Sequence, residues 1–155
     1  MMMIQPKSLS NFCTKITEKI QKMIEKTIEE NRVPVPHFEP EEFNILLQSE
    51  AAQRDFREFL VSQGVPDLCA YVDFSVNAYA LRHLDGPSRE REIRRLYDAH
   101  IRTRAYEKID LNDFGIAKKK IEEKIKKGHF TPDIFDTAVQ QCAYRLTNAL
   151  EVFFN

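Results

Sequence analysis

The chain has no tryptophan, only four glycines and three cysteines among 155 residues, and almost no net charge, formally −1. Each shortage excludes a class of protein. A nucleic-acid binder usually needs a basic domain, and this one is balanced. Cys13, Cys69 and Cys142 are odd in number, far apart and never in a CxxC pair. A disulfide framework or zinc site is therefore not expected, and the usage suits a reducing compartment. His37, His83, His100 and His129 are equally scattered, so neither a metal nor any other cofactor is expected. No apolar run approaches the ~18 residues of a membrane span. Met1 to Pro6 lacks the basic flank and apolar stretch of a secretory signal. The chain reads as cytoplasmic.

What is present is helical periodicity. Ile16, Ile20, Met23, Thr27 and Ile28 recur at helical spacing, with Lys and Glu on the other side and Thr14 as the expected cap. Residues 1–31 thus read as an N-terminal amphipathic helix, whose stripe is expected to pack against the same chain. Residues 32–40 carry RVPVPHFEP, a Pro-rich connector, because each proline biases the residue before it away from the helical region.

Residues 41–155 read as short helices joined by tight turns. Pro40, Glu41 and Glu42 make an acidic first turn ahead of Phe43, Leu46 and Leu47. Ser49 caps the next helix, which buries Ala52, Phe56, Phe59 and Leu60 and stops at Gly64. Pro66 opens a helix that is apolar nearly all round through Leu81, the mark of a central element. Ser88 is the expected cap of a helix burying Ile93, Leu96, Tyr97 and Ile101. Asp113 to Lys127 is another, and Thr131-Pro132-Asp133 starts the last and longest. Nothing alternates with period two long enough to be a strand. The expected class is all-α, with Phe56, Phe59, Tyr71, Phe74, Leu96, Tyr97, Phe135 and Leu146 in the core.

Chemistry-bearing motifs are missing: no P-loop, GxGxxG, HExxH, GxSxG or kinase signature occurs. Carboxylates lie beside lysines and arginines, where pairing along helix faces explains them. Lys118, Lys119 and Lys120 with Lys124, Lys126 and Lys127 form the most basic stretch. Such a stretch can meet an acidic partner or an anionic lipid surface, though Glu122 and Glu123 dilute it.

Three segments carry a family resemblance. FNILLQSEAAQRDFREFL (Phe43 to Leu60), GVPDLCAYVDF (Gly64 to Phe74) and IFDTAVQQCAYRL (Ile134 to Leu146) are similar, in order and spacing, to the regulator-of-G-protein-signalling (RGS) homology domain. TRAYEKIDLN (Thr103 to Asn112) fits between them, and the likeness covers about 112 of 155 residues, 43 to 154. It implies a bundle of about nine helices, here with an extra N-terminal helix. In the best-known members it also implies acceleration of GTP hydrolysis on heterotrimeric G-protein α subunits. Those members supply no catalytic acid or base; they hold the GTPase switch loops in the transition-state arrangement.

The contact positions differ here. Pro66-Asp67 stands where activating members have Glu-Asn, and Asp110, followed by Leu111 and Asn112, stands for a second asparagine. Ala149, Leu150 and Phe153 replace the terminal Asp-Ser and Arg. An ionised Asp only accepts hydrogen bonds where an amide also donates. The expected role is therefore that of a protein-interaction module of a signalling or scaffold protein, with GTPase activation as the alternative and no catalytic residues of its own. GVPDL ahead of an aromatic resembles the axin-type branch, whose domain binds a peptide of the adenomatous polyposis coli protein in Wnt signalling. Sorting nexins and kinase-anchoring proteins carry other divergent versions. The candidate partner-binding residues are Pro66, Asp67, Asp110, Asn112, Arg145, Ala149, Leu150 and Phe153, for a protein or peptide partner. Nucleic acid is not expected, and peripheral membrane contact is compatible with the sequence.

Overall fold

The computed structural model describes residues 15–22, 35–111 and 115–155. Among them every regular element is helical, with seven α-helices and no strand. The chain divides into two compact units, Met1–Pro34 and Val35–Asn155. In the first, α1 spans residues 15–22, with Ile16 and Ile20 exposed. Thr14, Met23, Thr27 and Ile28 of the expected stripe lie outside the described residues.

The second unit opens inside what reads in sequence as connector. Phe38 is buried edge-on to Phe43, 5.7 Å between ring centres. Asn44 clamps it by accepting from the Phe38 N–H at 2.9 Å and donating to the Phe38 carbonyl at 2.6 Å. The end of the 32–40 segment is therefore part of the bundle's packing. α2 (Glu41–Gln48) buries Phe43, Leu46 and Leu47. The Ser49 hydroxyl accepts the Ala52 N–H at 3.1 Å and caps α3 (Glu50–Ser62), as its sequence position predicts. Gly64 ends α3 with φ +77°, a left-handed conformation that favours glycine. The Gly64 and Val65 amides fold back onto the Val61 and Leu60 carbonyls at 3.1 and 3.0 Å, closing the exposed helix end.

Pro66 starts a single 3-10 turn (Pro66–Leu68) that feeds α4 (Cys69–Tyr79), and a second such turn (Ala80–His83) follows. α4 buries Tyr71, Val72, Phe74, Ser75 and Ala78. The buried Ser75 hydroxyl donates to the Tyr71 carbonyl at 2.7 Å. α5 (Gly86–Leu96) is capped by Asp85, not by the expected Ser88: the Asp85 carboxylate accepts the Ser88 N–H at 2.9 Å. Gly86 and Pro87 can fill a first turn, where their amides need no helical partner, so the cap moves upstream. α5 runs into a π-helical turn (Tyr97–Ile101).

α6 (Ile116–Lys126) follows Gly115 at φ +81°; Asp113 and Phe114, expected at its start, lie outside the described residues. α7 (Asp136–Phe154) begins later than Thr131. Ile134 and Phe135 are buried, so the chain enters the core through turns before the helix starts.

α4 lies at the centre, with α7 along one side and α3, α5 and α2 around it; α7 also packs on α2, α3 and α6. Phe74 meets Phe135 edge-on at 5.2 Å. Of the expected core, Phe56, Tyr71, Phe74, Leu96, Phe135 and Leu146 are buried, while Phe59 and Tyr97 are half-buried. Tyr97 keeps its hydroxyl toward the edge to donate to Glu122 Oε2 at 2.6 Å. Arg82 ties the turn after α4 to the start of α7, its Nη2 lying 2.9 and 2.8 Å from the two Asp136 oxygens. No described helix is long and apolar enough to cross a membrane.

Candidate partner-binding site

The segment between the π-helical turn and α6 is held down from below. Ile109 is buried, its N–H donates to the His100 carbonyl at 3.0 Å, and the Glu107 N–H donates to Ala99 at 2.9 Å. His100 Nδ1 lies 2.7 Å from the Glu107 carbonyl, which can only accept, so that nitrogen carries the proton. Burial holds the His100 imidazole below its ordinary pKa, against the opposing pull of that bond. From α4, the Tyr71 hydroxyl accepts the Asp110 N–H at 2.9 Å. The Tyr71 ring carries the Arg145 guanidinium of α7 at 5.8 Å from its centre. Tyr71 therefore joins the loop and α7 through the central helix.

This arrangement opens two hollows on either side of one loop. Asp110 and Arg145 share a cleft of about 660 Å³ with Gln141, Tyr144 and Asn148. Pro66 and Asp67 share another, about 420 Å³, with Tyr106, Glu107 and Lys108 on its far wall. Six of the eight candidate residues keep surface: Pro66, Asp67, Asp110 and Arg145 are exposed, while Ala149 and Phe153 are half-buried. Phe153 packs on Phe56 at 5.2 Å and Phe59 at 5.4 Å, so its ring serves the bundle as well. Leu150 is a correction: it is fully buried, because it continues the stripe of Cys142 and Leu146 inward, and it has no surface for a partner. Asn112 lies outside the described residues.

The cleft is stocked for binding. Arg145 forms no ion pair among the described residues. Tyr144 is 60% exposed, and the Gln141 Oε1 is shielded from solvent without a hydrogen-bond donor. A carboxylate on a docked chain would meet Arg145. Gln141, Tyr144 and Asn148 are the residues that sequence reasoning missed. Their signal was present, since 141, 144, 145 and 148 are polar at helical spacing opposite the apolar stripe.

Burial pushes the Cys142 thiol up to about 12, and the Cys69 thiol donates to the Arg57 carbonyl at 3.8 Å. Among the described residues no three His, Cys, Asp or Glu side chains gather closely enough to hold a metal ion. Compared with protein-family models and with curated proteins, the chain matches none.

Proposed function

We propose that the Val35–Asn155 unit is a divergent RGS homology domain, a version of the nine-helix bundle, that works as a protein-interaction module in cytoplasmic signalling or scaffolding and performs no reaction itself. The observation that supports this best is the meeting of Asp110 and Arg145 in one cleft, with Pro66 and Asp67 across the same loop. These stretches match the ones through which family activators grip their partner. Here they present two carboxylates in place of amides and a proline in place of a glutamate. A partner that brings a carboxylate to Arg145 suits the cleft.

Single-turnover GTP hydrolysis by G-protein α subunits, with and without the chain, separates the two members of this class. We expect no acceleration; a tenfold or greater stimulation, about 1.4 kcal/mol of barrier lowering, replaces the scaffold reading with GTPase activation. A photo-crosslinker at Asn148 is expected to capture a protein partner in cells, and Arg145→Glu to abolish that capture. Capture unaffected by Arg145→Glu sinks the assignment of the cleft.

A further inference from the structure

α6 carries a charge pattern that its own stability does not call for. Cations near a helix C-terminus are favoured by the macrodipole, which accounts for Lys124, Lys126 and Lys127. Lys118 and Lys119 stand at the opposite end, where the dipole disfavours them, and the first turn holds no acidic residue to compensate. Lys118 turns aside, its Nζ donating to Thr103 Oγ1 at 2.8 Å. Lys124 also leans inward, near enough to pull the Asp136 carboxyl downward. The exposed remainder is Lys119, Lys120, Lys126 and Lys127. None of these four forms an ion pair among the described residues.

Tertiary packing also removes half of the dilution seen in the sequence. Glu122 is turned into the bundle, accepting from the Tyr97 hydroxyl at 2.6 Å, so only Glu123 interrupts the exposed lysines. Ile116, Lys119, Lys120, Glu123 and Lys127 follow one another at i, i+3, i+4, i+7 and i+11, which places them on one face. Ile116 is 54% exposed at the start of that face. Arg94 adds a cation beyond its far end, stacked over Phe130 at 4.9 Å. The lysines line none of the hollows described above.

We propose that the outer face of α6 docks on an anionic lipid surface, with the lysines against phosphatidylserine-type headgroups and Ile116 entering the interface. A convex helix face of spaced, unpaired lysines with one exposed apolar residue complements a flat, diffuse negative charge. An acidic peptide would instead be expected to want a groove and matched donors. This docking is independent of the cleft proposed above for a protein partner.

The test uses the full chain and sedimentation with vesicles of phosphatidylcholine alone or with phosphatidylserine added. Binding is expected only with the anionic vesicles and should fall as salt rises. Lys119→Gln, Lys120→Gln and Lys127→Gln together should weaken it on the order of 100-fold, roughly fivefold per lysine. Ile116→Ser should weaken it less, and Arg54→Gln on α3 should leave it unchanged. Circular dichroism checks that the triple variant is folded; if it is not, Lys119→Gln alone decides, with its fivefold loss. Equal sedimentation with both vesicle types, no loss in the lysine variants, or an equal loss in Arg54→Gln overturns the proposal. Stronger binding to polyglutamate than to the anionic vesicles at the same salt also overturns it, in favour of an acidic protein partner.

Discussion

α4 and α6 are both eleven residues long, yet they occupy opposite positions in the bundle. α4 buries five side chains across a broad face, and α6 buries two, Ala117 and Ile121, on a narrow edge. The central helix is specified by volume: whatever replaces Phe74 must fill its space between Phe135 and His100. The peripheral helix is specified by a narrow apolar edge, which leaves its outer face open to other uses. Helix length and class say nothing about this difference. It follows from how much of each helix the other elements cover.

The sharpest way to break the comparison is to empty the centre. Phe74→Ala should cost about 3–5 kcal/mol in urea denaturation. A loss comparable to that of an exposed α6 substitution would show that α4 is not the packing centre.

Next comes the clasp between the end of the α4 segment and α7. Arg82→Ala leaves the Asp136 carboxylate without its forked partner, and a loss of about 2 kcal/mol is expected in the same assay. Burial raises the Asp136 carboxyl while Arg82 pulls it down, so the carboxylate would be left worse off alone. An unchanged denaturation midpoint would mean that solvent replaces the guanidinium freely.

A pH series then probes the contact of α4 with the π-helical turn. His100 is buried against Phe74, and that burial lowers its pKa from 6.5. Below that value the unfolded chain binds a proton that the folded imidazole resists, so stability is full above it and declines as pH falls through it. The melting temperature should drop between about pH 7.5 and about pH 5.5, and His100→Gln should shrink that drop. An equal drop in the variant would place the acid sensitivity elsewhere.

Smaller effects belong to α6. Glu122→Gln weakens the bond from the Tyr97 hydroxyl and should cost about 1 kcal/mol. Lys126→Ala should change stability by no more than about 0.5 kcal/mol, as expected of an exposed side chain. A larger loss from Lys126→Ala would tie the outer face of α6 to the fold.

Several features are legible in the sequence alone. The helical class followed from apolar spacing, the Ser49 cap from a hydroxyl ahead of an apolar run, and the central place of α4 from its lack of a polar side. Six of the eight expected core residues are buried because large apolar side chains at helical spacing leave few alternatives. The candidate site was legible in part. Asp110 and Arg145 were both named, but nothing in the chain order says that they share a cleft, since Tyr71 of a third element brings them together.

The sequence by itself determined which stretches become helices and which face of each seeks the core, because propensity, capping and hydrophobic periodicity act over a few residues. Tertiary structure decided what requires distant parts of the chain to meet. It moved the start of α7 past Thr131, because burying Ile134 and Phe135 takes precedence over the proline start signal. It withdrew Leu150 from the surface and turned Glu122 inward to Tyr97. It also paired Arg82 with Asp136. Each outcome depends on which neighbour covers a side chain and which buried polar group needs a partner, and those are properties of the assembled bundle.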